Sequence, residues 1–203
     1  MKAVDLFNNW VDLGKDNGME INHTPSVDYM VNLIPDSIIN SKFSFLDIGC
    51  GNGWVVKKMS SIENCNLAVG IDGADKMIKK AKLHDPKSHY FQLNVDDLLS
   101  YTENFDIVFS MEVFYYLKSP KNTLNYIFHN LLKNNGCFVM GIDHYLENIP
   151  SLKWPIDLKV DMVTHSILEW KKIFQNVGFS NIKVSQFGRK KDWLGTLVLY
   201  GEK

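Results

Sequence analysis

No run of apolar residues in this sequence approaches the roughly 20 needed to cross a bilayer, so a membrane span is not expected. Cysteine is scarce and odd in number. Cys50, Cys65 and Cys137 have neither the arithmetic of a disulfide framework nor the spacing of a zinc site, which points to a reducing cytoplasm and to no metal. An excess of basic residues is also lacking: lysine and arginine total 22 against 23 aspartates and glutamates, a net charge of −1. That balance argues against a nucleic-acid partner or a membrane surface. The one short basic cluster, GRKK at 188–191, reads as a solvated loop. Repeats and low-complexity linkers are missing, and the opening MKAVDLFNNWVDLGK mixes Asp and Asn with its apolar residues, unlike a signal peptide. What remains is an ordinary globular composition, with 203 residues, 45% of them hydrophobic, enough for one domain around one core.

The apolar pattern alternates between two periods. Val4, Phe7, Trp10 and Val11 fall at helical spacing. In TPSVDYMVNLI, Thr24 reads as an N-cap and Pro25 as the first helical residue. Strands are expected at 43–48, 66–72, 89–94, 105–110 and 137–142, with helices between them. The helix after Pro120 is expected to run to NNG, with Gly136 in a left-handed terminal position. Such alternation implies right-handed crossovers and a doubly wound α/β sheet, mostly parallel, with helices on both faces. Residues 144–165 break the rhythm and read as an extended segment. Order returns with a capping box at Ser166 and Glu169, a helix ending at Gly178, and two strands at 181–187 and 194–200 joined as an antiparallel hairpin.

Chemistry concentrates where the first strand meets its helix. In FLDIGCGNGWVV, Gly49, Gly51 and Gly53 follow a buried strand, where backbone N–H groups can face a ligand and side chains must be absent. Asp72 ends the next strand, nineteen residues after Gly53, placed to accept hydrogen bonds from both ribose hydroxyls. The third glycine arrives one residue too early for the dinucleotide fingerprint, and Trp54 fills the next position. Asp47 stands just before the turn. A carboxylate there repels a pyrophosphate and attracts an ammonium or sulfonium.

Four stretches, FLDIGCGNG, GIDGA, FDIVFSMEVFYYL and LLKNNGCFVMG, resemble in order the successive motifs of class I, Rossmann-like, S-adenosylmethionine-dependent methyltransferases over residues 43–142. The resemblance implies a seven-stranded sheet with an antiparallel last strand and S-adenosylmethionine over the ends of the first four strands. It implies a single domain with an N-terminal helical cap (1–42), a cofactor-binding core (43–142), a substrate lid (143–165) and a C-terminal helix with β-hairpin (166–203). Carried over by position, Asp47, Gly49, Cys50, Gly51 and Gly53 surround the methionine part, Asp72 and Gly73 the ribose, and Asn94, Val95 and Asp96 the adenine. Ser110 offers its backbone carbonyl to the ammonium. At the adenine, Asn94 and Asp96 remain alternatives.

Methyl transfer from a sulfonium releases a neutral thioether and needs alignment more than a fixed catalytic group. Candidates for acid–base help are Glu112, Tyr115, His144 and His23, in that order. The N/D-P-P-Y/F motif of some amino-methylating enzymes is absent; SMEV stands there. The expected acceptor is a small molecule, with no nucleic acid and no membrane, acted on by a monomer or homodimer. The rival readings are a non-catalytic S-adenosylmethionine-binding protein and a nicotinamide oxidoreductase.

Overall fold

The computed structural model describes the backbone of residues 1–203 and every side chain except those of Leu99 and Ser100. The elements run α1 (Ala3–Asp12), α2 (Asn17–Val31), α3 (Asp36–Ile39), β1 (Phe43–Ile48), α4 (Trp54–Ser60), β2 (Cys65–Asp72), α5 (Asp75–His84), β3 (His89–Gln92), β4 (Phe105–Met111), α6 (Pro120–Tyr126), β5 (Leu132–Ile142), α7 (Trp154–Leu158), α8 (Ile167–Val177), β6 (Ser180–Phe187) and β7 (Thr196–Glu202). One seven-stranded sheet has the order β3-β2-β1-β4-β5-β7-β6. Strands β1 to β5 are parallel, whereas β7 runs antiparallel between β5 and β6. This is the seven-stranded sheet with an antiparallel last strand that the resemblance implied.

Two apolar layers flank it. One face packs Phe114, Leu124, Trp170 and Phe174, and the other Val27, Met30, Val56 and Met59. β1 is buried at all six positions, which is why FSFLDI shows no polar alternation. Burying each large apolar side chain contributes about 1.5–3 kcal/mol. α8 carries the expected capping box: the Ser166 Oγ accepts from the Glu169 N–H at 3.2 Å, and the Glu169 Oε2 accepts from the Ser166 N–H at 2.7 Å. Gly178 closes the helix at φ +113°. The N-terminal helices are tied to the C-terminal hairpin. Ser26 and Thr196 share a 2.9 Å hydroxyl bond, the Tyr29 hydroxyl donates to Ser185 at 2.9 Å, and the Tyr29 ring stacks on Phe187.

Three local expectations change. α2 begins at Asn17, runs through Pro25, and is not capped by Thr24. Proline at 25 removes the bond to the Ile21 carbonyl, but Ile21 is exposed and water can replace it. The Thr24 hydroxyl instead donates back to the Glu20 carbonyl at 2.6 Å. The helix after Pro120 ends in a π turn over Ile127–Leu131, and β5 then starts at Leu132. Asn135, not Gly136, takes the left-handed conformation at φ +64°. Gly136 is required for a different reason: a Cβ there would lie 2.9 Å from the carbonyl oxygens of Asp106 and Lys133. Finally, 144–165 is not extended. It folds into a 3-10 turn at Ile149–Lys153 followed directly by α7.

Candidate functional site

Strand order reverses between β1 and β4, and the crevice beyond the carboxyl ends of parallel strands opens there. A cavity of about 760 Å³ occupies it. Each parallel strand supplies wall residues just past its end: Gly49 and Gly51 after β1, Asp72 and Gly73 at β2, Asn94, Val95 and Asp96 after β3, Glu112 after β4, and Asp143 after β5. α1 adds Val4, Phe7 and Trp10, α2 adds Met19, Asn22 and His23, and the stretch from Trp154 to Asp161 completes the rim.

The glycine turn has the conformation its sequence suggested. Gly49, Gly51 and Gly53 have φ of +77°, +54° and +82°. The Asp72 carboxylate braces the turn from below: Oδ2 accepts from the Gly51 N–H at 2.9 Å and Oδ1 from the Ala74 N–H at 2.7 Å. Asp72 therefore fixes the turn and holds Ala74, the residue before α5, while it lines the cavity. Burial raises its pKa, partly offset by these two N–H groups. Asp47 is 2% exposed and lies behind the turn, lining a small adjoining recess with Cys50. Burial, then the Asp72 charge, push the Asp47 carboxyl well up. The Cys50 thiol is raised by burial and by both carboxylates, which makes it an inert filler.

Asp47 and Cys50 line the recess rather than the main cavity, and two more predicted cofactor residues, Gly53 and Ser110, line neither. Gly53 faces α5 and β3, where a Cβ would come within 2.8 Å of Ala81 and Tyr90. Ser110 is fully buried and its hydroxyl donates to the Ile48 carbonyl at 2.8 Å. On the adenine side, the Asn94 side chain accepts from the Asp96 N–H at 3.3 Å, and Asp96 accepts from the Lys118 N–H at 3.3 Å.

Of the four acid–base candidates, Glu112, Tyr115 and His23 come together on the wall and His144 does not. His144 is fully buried. Its Nδ1–H donates to the Ser151 carbonyl at 3.0 Å, and its Nε2 accepts from the Thr164 hydroxyl at 2.8 Å. Burial lowers its pKa, so the ring is a neutral brace for the 144–165 segment. Glu112 holds φ +61°, a left-handed conformation rare for a side chain of its size. Its Oε2 accepts from the Tyr115 hydroxyl at 2.7 Å and its Oε1 from the Asp143 N–H at 2.6 Å. Burial, then the Asp143 charge, raise the Glu112 pKa. Burial also lowers His23, against the pull of Asp143.

Asp143 was missed by sequence reasoning, although its place directly after strand five was visible. Trp10 and Phe7 were read only as a helical stripe. Their signal is that the stripe faces the cavity: in α1 only Leu6 is buried. The wall is acidic, with Asp72, Asp96, Glu112, Asp143, Asp157 and Asp161 against Lys2 and Lys118. Among the described residues no group of three or more His, Cys, Asp or Glu could hold a metal, and no helix is long and apolar enough to cross a membrane.

Gly49, Gly51 and Gly73 keep clear a space that side chains would fill, with Asp72 beside it, and this arrangement suits an adenosyl sulfonium ligand. A methyltransferase domain family matches residues 46–140. A Haemophilus influenzae protein named tRNA U34 carboxymethyltransferase is 26% identical over 171 residues, 74% of this chain and 51% of the relative. An Aliivibrio salmonicida protein of the same name is 31% identical over 157 residues, 70% of this chain and 46% of the relative. The chain thus spans about half the length of the curated relatives it matches. A chain from the Haloferax volcanii complex with the Trm112 methyltransferase activator superposes with TM-score 0.82 at 25% identity, covering 97% of this chain and 96% of that one. The Synechocystis magnesium protoporphyrin IX methyltransferase with bound S-adenosylhomocysteine gives 0.69 at 16%, covering 92% and 85%, a likeness of fold.

These names overturn the expectation of a small-molecule acceptor, no nucleic acid and a monomer or homodimer. The curated relatives are named for a tRNA, and the Haloferax chain was solved with an activator protein. Net charge misled because it averages over the whole surface, whereas a modifying enzyme needs only a local contact. With the sheet, the glycine turn and the matched family in agreement, residues 46–140 form a methyltransferase domain on the class I, S-adenosylmethionine-dependent methyltransferase fold.

Proposed function

We propose that this protein transfers a methyl group from S-adenosylmethionine to a base of RNA. The observation that carries the reading is the likeness to proteins named for tRNA U34 over 70–74% of this chain. In this reading Gly49 and Gly51 pass the methionine part, Asp47 adds a negative field from behind, Asp72 accepts from the ribose, and Asn94 to Asp96 flank the adenine. α1, α2 and residues 143–165 form the cover through which the acceptor base enters. Holding donor and acceptor in line supplies most of the rate, about 7–11 kcal/mol for well-oriented groups.

The relatives' name specifies a carboxymethyl group, and the walls here favour a plain methyl. A carboxymethyl donor would bring a carboxylate to the end where Glu112 and Asp143 stand. The sequence contains one arginine, Arg189, and it does not line the cavity. A protein activator is proposed as partner by analogy with the Haloferax complex, and a cytoplasmic location agrees with the free cysteines Cys50, Cys65 and Cys137. The test is incubation of the full chain, alone and with a candidate activator, with methyl-labelled S-adenosylmethionine and bulk tRNA. Label in a nucleoside supports the proposal. Cofactor binding without label in RNA under either condition overturns it and leaves the non-catalytic reading.

A further inference from the structure

We propose that the methylated atom is the nitrogen of an exocyclic amino group, held by the carboxylates of Glu112 and Asp143, so that the acceptor base is adenine, cytosine or guanine rather than uridine. The inference rests on the RNA reading above and goes beyond it by naming the acceptor atom.

The first observation is an unmet acceptor. Asp143 is only 9% exposed and sits on the cavity wall, yet its Oδ1 has no hydrogen-bond partner. Buried polar atoms are nearly always paired, so one left open beside a cavity marks where a ligand brings a donor. The second is independent. Glu112 keeps a left-handed backbone at φ +61°, and such strain persists at working positions when the surroundings enforce it. Here the Glu112 N–H donates to the Gly141 carbonyl at 2.9 Å, while the Asp143 N–H and Tyr115 hydroxyl hold its two carboxylate oxygens. A carboxylate has about four lone-pair sites, so capacity remains for a donor from the cavity.

Both carboxylates directly follow adjacent strands, β4 and β5, and the wall's lysines, Lys2 and Lys118, stand at neither strand end. This corner accepts hydrogen bonds and repels acceptors. Adenine, cytosine and guanine offer an exocyclic amino group with two N–H donors, whereas uridine offers carbonyl oxygens at the matching edge. Both N–H bonds drawn toward Glu112 and Asp143 leave the nitrogen lone pair aimed away from the base plane.

In the step, the nitrogen lone pair attacks the methyl carbon and forms the N–C bond. The S–C bond breaks with its electron pair staying on sulfur, which becomes a neutral thioether. The proton that the nitrogen then carries in excess passes to the Asp143 carboxylate or the neutral His23 ring, and from there to water.

The test is nucleoside mass spectrometry of bulk tRNA after transfer of a deuterated methyl group, with the wild-type chain and with Glu112→Gln and Asp143→Asn. The expected result is label on an amino nitrogen of adenosine, cytidine or guanosine. Each variant should lose at least tenfold in kcat with S-adenosylhomocysteine affinity within threefold of wild type, and the wild-type rate should fall more steeply on acidification than either variant's. Label on uridine overturns this inference and leaves the RNA reading intact, and label in no nucleoside overturns the RNA reading itself. Label on an amino nitrogen with both variants as fast as wild type also overturns the assignment of these two carboxylates.

Discussion

The two ends of the cavity differ in how far their polar groups are already satisfied. Under the glycine turn, both oxygens of Asp72 accept backbone N–H bonds, and the turn has its final shape before any ligand arrives. At the other end, Asp143 keeps an open oxygen and Glu112 holds strain. On the proposed reading, the first end serves one constant ligand, and the cost of shaping it is met in folding. On the same reading, the second end stores capacity that the right acceptor relieves, so that a constant donor site stands beside a selective acceptor site.

The harshest way to break this comparison is to fill the finished end. Gly51→Val forces a β-branched residue to φ +54° and places its Cβ 3.0 Å from Met19. Calorimetry should show S-adenosylhomocysteine affinity reduced more than about 100-fold, with a folded circular-dichroism spectrum retained. Unchanged affinity would move the ligand elsewhere. Asp72→Ala should come next. It strands the Gly51 and Ala74 N–H groups, at about 1–3 kcal/mol each, and should weaken the cofactor roughly 10- to 100-fold. Asp97, which is not on the wall, serves as the control: Asp97→Ala should change affinity less than about threefold. Equal losses would mean that Asp72 only holds Ala74 ahead of α5.

Asp47→Asn sharpens the comparison in the opposite direction. A buried carboxyl with a raised pKa opposes folding above its unfolded pKa, and the opposition fades as pH falls through the range between folded and unfolded values. Removing the charge should therefore raise the ligand-free Tm at pH 7 by about 2–4 °C, a gain that disappears near pH 4, while the Tm shift on adding S-adenosylmethionine shrinks. A lower Tm at pH 7 would show that the charge is compensated. The smallest effect concerns the cover. Hydrogen exchange across α1, residues 17–24 and 154–161 should slow by a few-fold on cofactor binding; slowing confined to the glycine turn would mean that these segments are fixed walls.

The sequence displayed what is local or periodic. FSFLDI had to be a buried strand, Ser166 and Glu169 a helix start, and the three glycines a turn of left-handed backbone. It did not display what depends on distant partners. Thr24 looked like a cap because nothing local revealed that α2 could continue through Pro25 at an exposed face. Gly136 looked like a helix terminus because the carbonyls of Phe105 and Asp106 that crowd it come from another strand. His144 and Asp143 are adjacent in the chain, and only the path of the chain after β5 decides which one turns into the cavity and which one braces the segment behind it.

The bonds from Ser26 to Thr196 and from Tyr29 to Ser185 have a consequence for biosynthesis. The helix that carries His23 leaves the ribosome before any strand of the sheet, and the strands that seat it emerge after β1 to β5. Until β6 and β7 are made, Val27 and Met30 lack part of the surface they are buried against, and the acceptor corner lacks Thr196 beside Asp143. A nascent chain can therefore assemble the glycine turn long before it can present an acceptor site, so catalytic competence arrives only with the final hairpin.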